Sequence, residues 1–272
     1  MAARALTSLA AFAERWADAN SPRRIGRVIE YVRVIGSTND RARELLDGRD
    51  GDGAVVVADE QTAGRGRRGR AWESPPERNL YLSVALVPVL SAVEGWQLGL
   101  ATALAVADAC DTAAPVTLKW PNDVVSADGR KVGGLLIETM AESDRLRGAV
   151  IGIGINVNWR RAEMPFDLRE RAVSLADLRG APVDREALLG RLLVALGEEI
   201  AAVERGSSPL ERYRARCSTL GAAVEVQTAD GPVTGHASTL DPTGALVVID
   251  ESGGRHAVSA GEVTSLRRAV PA

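Results

Sequence analysis

With 36 acidic against 33 basic side chains in 272 residues, a formal net charge of −3, the chain lacks the broad basic excess of a nucleic-acid binder. Apolar residues make up 46% and charged ones 25%, the mix of a globular chain with room for one large domain or a domain and a small companion. No apolar run approaches the roughly 20 residues that cross a bilayer, and the two cysteines, Cys110 and Cys217, offer neither a metal-ligand pair nor a disulfide framework, so a reducing, cytoplasmic setting is expected.

Leu6, Leu9, Ala13 and Trp16 fall on one face of a helix, which predicts an amphipathic element in place of a signal peptide, ended by N-S-P at 20–22. Residues 28–35 alternate as a strand and deliver G-S-T-N at 36–39. Residues 40–46 then read as a helix with Thr38 or Asn39 near its cap. Capping alone accounts for such a run, although small hydroxyls at a helix start can also face a ligand.

An apolar strand over 54–59 feeds Q-T-A-G-R-G-R-R-G-R-A-W at 61–72. Its glycines open backbone conformations closed to other residues, and its guanidinium groups are fixed forks of donors suited to carboxylate and phosphate oxygens. A loop of this kind predicts an anion site with Trp72 at its edge. Arg/Gly repeats also bind nucleic acid without sequence preference, but this one is short and internal to a folded chain. If the loop closes over a reactive intermediate, it orders on ligand binding and excludes water.

Residues 79–88 form a largely apolar, central strand, and 94–114 a long Ala/Leu-rich helix. A short strand over 116–119 ends in K-W-P-N-D at 119–123, in which Trp120 is expected in the core. K-V-G-G-L-L-I-E begins at Lys131. Residues 148–158 read G-A-V-I-G-I-G-I-N-V-N, where glycines repeated in a strand mark the close approach of a ligand or another backbone. Residues 163–178 are ambiguous, 184–203 are a helix, and 209–217 a shorter one. Beyond Gly221, alternating runs at 223–227, 233–237, 245–249 and 256–259, separated by Gly/Asp/Ser turns, predict a small all-β barrel in which His236 and His256 lie at the surface.

Taken together, G-S-T-N, Q-T-A-G-R-G-R-R-G-R-x-W, K-W-P-N-D and K-V-G-G-L-L-I-E with G-I-G-I-N-V-N resemble, in order and spacing, the biotin protein ligases. The resemblance implies an α+β catalytic domain akin to class II aminoacyl-tRNA synthetases over 1–220, and an SH3-like domain over 221–272. It implies ATP, biotin and Mg²⁺ as the small molecules and a biotin carboxyl carrier protein as the partner. Carried over to this sequence, Ser37, Thr38, Asn39 and Gln61 would meet the biotin head group. Backbone at Gly64, Arg65 and Gly66 would receive the biotin carboxylate. Arg67, Arg68, Gly69 and Arg70 would lie near the phosphates, Trp72 would stack on adenine, and Asn122 would touch the nucleotide. Lys131 would serve both carboxylate and α-phosphate, with Arg67 beside it. Gly133 and Gly134 would lie along the biotin ring and tail, Gly154 and Asn156 near the adenylate, and Asp123 is a candidate metal ligand.

The stretch before Val28 is too short for the winged-helix domain that some of these ligases carry, so no DNA-binding role and no membrane role are expected. Two rivals stand beside this reading. Lipoate or octanoate ligases share the fold but carry a glycine-rich motif followed by histidine, absent here. A nucleic-acid-binding protein would use the Arg/Gly loop without any need for biotin.

Overall fold

The computed structural model describes residues 8–18, 23–48, 51–228, 231–259 and 261–265. α1 (Leu9–Asp18) lays Leu9 and Phe12 into the core; Leu6 and the N-S-P break lie outside the described residues. β1 (Ile29–Ile35), α2 (Thr38–Leu46) and β2 (Val55–Gln61) form a crossover unit with β1 parallel to β2. β3 (Leu80–Leu86) is buried at every position, as its near-continuous apolar run requires. α3 (Trp96–Asp111) is apolar on almost every side and correspondingly enclosed. β4 (Thr117–Lys119), β5 (Asp123–Val125), β6 (Lys131–Glu142) and β7 (Arg145–Ile155) complete a seven-stranded sheet in the order β1-β2-β3-β7-β6-β5-β4.

The ambiguous stretch 163–178 resolves into two short helices, α4 (Phe166–Arg169) and α5 (Leu175–Arg179), the second closed by Gly180 at φ 76°. α6 (Arg185–Glu204) starts at Asp184, whose carboxylate accepts from the backbone N–H of Glu186 and Ala187, and α7 (Leu210–Arg216) follows. A second, antiparallel sheet holds β8 (Ala223–Thr228), β9 (Gly231–Leu240), β10 (Leu246–Ile249), β11 (Arg255–Val258) and β12 (Glu262–Ser265) in the order β11-β10-β9-β8-β12. β12, a strand beyond the four runs expected, pairs with β8.

The strand period of two divides the large sheet into two faces. Val55, Val57, Leu82, Val84, Ile151 and Ile153 point into the main core with α3 and α6. Ala54, Val56, Ala85 and Val150 point the other way, where they meet Ala42 of α2. On that second face, Ser83 stands opposite both Val56 and Gly152, and Gly154 lies between Tyr81 and Gly134. Side chains are therefore stripped from β6 and β7 beside the start of α2, leaving a trough. The main apolar cluster runs without a break into the second sheet, through Val224, Val226, Leu246 and Val248.

Candidate active site

Ser37, and neither Thr38 nor Asn39, occupies the cap position of α2, and its hydroxyl makes no cap bond. The capping expectation is thus corrected: all three side chains are buried, and Thr38 and Asn39 turn from the helix onto the sheet. Gln61 Oε1 accepts from Thr38 N at 2.9 Å, with Thr38 Oγ1 at 3.0 Å. Ser83 Oγ lies 2.8 Å from Thr38 Oγ1 and 2.6 Å from Asn39 Oδ1. Asn39 Nδ2 donates to Glu138 at 2.7 Å, and Glu138 also pairs with Arg43 at 2.8 Å.

The proton count along this chain has a consequence. Asn39 Oδ1 can only accept, so it takes the Ser83 proton. Thr38 Oγ1 gives its own proton to Gln61 Oε1 and accepts on the side of Ser83 Oγ. One lone pair on Thr38 Oγ1 is left for an outside donor. Ser83 and Glu138 were not among the residues expected; their only signals are a lone hydroxyl in L-Y-L-S-V-A-L and a carboxylate ending an apolar run.

The Arg/Gly segment is laid down as a narrow hairpin. Gly66 N donates to Arg70 O, Trp72 N donates to Gly64 O, and Arg65 bridges to Ala71. Its tip turns through two left-handed residues, Arg68 at φ 58° and Gly69 at φ 71°. Gly64 is needed for packing, since a Cβ there would stand 2.7 Å from Trp72 O and 2.9 Å from Ser74 Oγ. The Trp72 ring lies flat in the trough, and a Cβ on Gly154 or Gly134 would come within 2.5 or 3.0 Å of it. On Gly133, a Cβ would meet Gly154 O at 3.0 Å.

The four arginines part company here. Arg65 pairs with Asp40, Arg70 with Glu262 of β12, and Arg68 donates to Gln227 O of β8 at 3.3 Å. Arg67 turns inward, donates to Asn122 Oδ1 at 3.2 Å, and has no carboxylate partner among the described residues. Burial, with the neighbouring Arg68, holds its pKa below the ordinary value, which marks a cation in want of an anion. Asn122 is itself fixed, since Nδ2 donates to Leu135 O and Leu135 N to Asn122 O, each at 2.9 Å.

Lys131 Nζ stands 5.2 Å above the Trp72 ring and 2.7 Å from Asp123 Oδ1. Its backbone is gripped on both sides: Lys131 N donates to Arg171 O, and Lys131 O accepts from Val173 N. Asn156 Nδ2 adds a third contact to Lys131 O at 3.3 Å. Trp120 is buried, as expected, and donates Nε1–H to Gly244 O in the second sheet at 3.1 Å. His256 is exposed and pairs with Asp250, away from the motifs. A groove of about 740 Å³ runs between α1 and α6 past Phe12, Trp16 and Glu186, and none of its lining residues belongs to the motifs.

A hydroxyl-and-amide pocket at one end of a glycine-floored trough, and two unlike cations at the other, define an acid-activating ligase with an α+β catalytic sheet and a small SH3-like sheet behind it. Residues 31–156 match the biotin/lipoate A/B protein ligase family, and residues 219–264 match the biotin protein ligase C-terminal domain. The chain is 38% identical over 250 residues to a biotin–[acetyl-CoA-carboxylase] ligase of Mycobacterium tuberculosis, covering 89% of this chain and 90% of that one. It is 34% identical over 233 residues to the bifunctional ligase/repressor BirA of Bacillus spizizenii, covering 84% of this chain and 71% of the relative. In structure it resembles the biotin protein ligase of Aquifex aeolicus in complex with biotin and ATP, with a TM-score of 0.74, 31% identity, and 88% and 98% of the two chains covered. The chain belongs to the biotin protein ligase family.

Proposed function

We propose that this chain activates biotin with ATP and transfers the biotinyl group to a lysine of a biotin carboxyl carrier protein. The observation that carries this reading is the pairing of the lone pair left on Thr38 Oγ1, which suits a ureido N–H, with two cations at the far end of one trough: Arg67, which has no carboxylate partner among the described residues, and Lys131, held by Asp123. In the first step a biotin carboxylate oxygen bonds to the α-phosphorus of ATP, and the bond to pyrophosphate breaks. In the second, the carrier's lysine amine attacks the acyl carbon, AMP leaves with the bonding pair, and the amine gives up a proton. No enzyme nucleophile is required. What is required is that two anions be held together, the work of fixed cations and preorganised donors.

Lys131 supplies charge to carboxylate and α-phosphate once it leaves Asp123, with Arg67 beside it. Ser37, Thr38, Asn39 and Gln61 hold the head group, and backbone at Gly64, Arg65 and Gly66 faces the carboxylate. Gly134 floors the ring and tail, and Gly133, opposite Ile155 and one residue out of phase, adds only its backbone there. Trp72, Asn122, Gly154 and Asn156 serve the nucleotide, and Arg68, Gly69 and Arg70 form the hairpin tip on its phosphate side, Arg70 through its pair with Glu262. The described residues hold no cluster of three or more carboxylate, imidazole or thiolate groups that could cage a metal, and Asp123 is engaged by Lys131. Mg²⁺ accordingly enters as part of the ATP substrate. We place the division between catalytic and SH3-like parts at Leu220. No helix among the described residues is long and apolar enough to cross a membrane.

The test is pyrophosphate release with ATP, Mg²⁺ and biotin, followed by the mass of an apo carrier domain, with Lys131→Ala run in parallel. A biotinyl group on the carrier, lost in the variant, is the expected result. Turnover with lipoate in place of biotin would move the chain to the sister activity, and no turnover with either acid would sink the reading.

A further inference from the structure

Behind the trough, at the residue before β3, Asn79 has no exposure to solvent. A buried amide is costly unless all of its groups are met, and here each is. Oδ1 accepts from Val157 N at 2.9 Å, and Nδ2 faces Asn156 Oδ1 at 3.4 Å. Its backbone oxygen accepts from Arg185 at 3.1 Å, and Arg185 is locked to Asp59 at 2.8 Å in a pair whose side chains are about nine-tenths buried. Asn79 is therefore anchored from three sides and cannot turn its amide over.

That anchoring dictates the orientation of its neighbour. Because a backbone N–H fixes Asn79 Oδ1, only Nδ2 is left to face Asn156, which must answer with its oxygen. Asn156 then points Nδ2 at Lys131 O. A line of set polarity runs from Val157 N–H through two amides to the backbone of Lys131.

We propose that Asn79 is a positioning residue for the adenylate-forming step, acting through Asn156 on the backbone that carries Lys131. The inference rests on the function argued above. It assigns Asn79 no contact with either substrate, so its effect belongs to kcat and the ATP side and leaves the biotin head-group pocket alone.

Asn79→Asp is the sharp probe. It is the same size and keeps the acceptor for Val157 N–H, but presents an oxygen to the oxygen of Asn156, which must flip or withdraw. In pyrophosphate release, kcat is expected to fall roughly tenfold, the order of one misplaced hydrogen bond. KM for biotin should stay within about twofold, while the buried carboxylate lowers the melting temperature, so kcat is compared below the unfolding onset of every variant. Asn156→Ala should show a comparable loss, and the double variant Asn79→Asp/Asn156→Ala no greater loss than Asn156→Ala alone. Multiplying losses, an unchanged kcat in Asn79→Asp, or an equal rise in KM for biotin would each overturn the proposal. Asn79→Ala serves as a comparison, and if it fails to fold the isosteric variant still decides. A wild type that releases no pyrophosphate with biotin removes the function and this inference with it, whereas an active wild type with additive variants removes the inference alone.

Discussion

Gly154 is the position where one added atom changes most. Its neighbours across the ladder are Tyr81 and Gly134, and the Trp72 ring occupies the space a side chain would fill, with ring atoms at 2.5 to 2.7 Å from an ideal Cβ. Such distances are far inside van der Waals contact, and the ring cannot compress, so Gly154→Ala must push Trp72 out of the trough. β7 itself is in ordinary extended conformation there, and the change places a methyl where strand propensity is indifferent. The expected result is a rise of at least about tenfold in KM for ATP, equivalent to about 1.4 kcal/mol, with little change in melting temperature or in biotin affinity. Steady-state kinetics with each substrate varied in turn would check it. An unaltered KM for ATP would mean that Trp72 has no part in holding the nucleotide. The same reasoning separates this glycine from Gly129 or Gly253, whose positive φ serves turns with nothing within 4 Å of a Cβ.

At the scale of elements, β1, β2 and α6 are tied by a buried knot behind the site. Tyr31 on β1 donates to Asp59 Oδ2 at 2.7 Å, and Arg185 at the start of α6 holds the other oxygen of Asp59 at 2.8 Å. Burial, then the bond to the Asp59 carboxylate, pushes the Tyr31 phenol up to about 12 from its ordinary 10.0. A raised folded pKa means that the fold favours the neutral phenol. The contribution is whole below pH 10 and is lost as pH rises through about 12. Urea midpoints measured from neutral pH into this window should fall more steeply for wild type than for Tyr31→Phe; parallel curves would show that this bond does not govern the alkaline limb. None of the knot was legible in the sequence, because Tyr31, Asp59 and Arg185 are far apart in the chain and each looks ordinary in its own strand or helix. The motifs were legible, since glycine spacing and arginine density are local signals. So were the central strand 79–88 and the helix 184–203, whose apolar patterns are long. Ser83 and Asn79 were not, because a single polar residue beside an apolar run carries no period. β12 was missed because its strand character comes from pairing with β8 and from its core residue Val263, not from its own composition.

For the molecule as a whole, the question is why a ligase needs its second sheet. The structure joins that sheet to both walls of the trough. On one side Trp120, next to Pro121 and Asn122, donates to Gly244 O of the second sheet, while its backbone N–H donates to Thr219 Oγ1, at 3.0 Å, in the segment that leads into that sheet. On the other, the hairpin tip is tied down by Arg70 to Glu262 and by Arg68 to Gln227 O. The Arg70–Glu262 pair is exposed, at 63% and 41%, so its worth to global stability is on the order of 1 kcal/mol or less. Its worth to the site is of another kind. It fixes where the tip rests, and with it where Arg67 points, while Arg67 itself has no carboxylate to hold it among the described residues. Glu262→Arg removes the tip's anion and adds a fourth cation beside Arg67, Arg68 and Arg70, and should raise KM for ATP several-fold, with KM for biotin changed far less, since Thr38, Gln61 and Ser83 are untouched. The reciprocal change Arg70→Glu, added to Glu262→Arg, restores an opposite pair in the reverse sense and should recover much of the loss. The recovery should shrink as ionic strength rises, because the pair is open to solvent and is screened over about 8 to 10 Å at moderate salt. If the double variant is no better than Glu262→Arg, the guanidinium of Arg70 acts directly on the phosphates, and the second sheet merely shares its partner. If it is better, the SH3-like sheet sets the register of the hairpin, and the two halves of the chain act as one site.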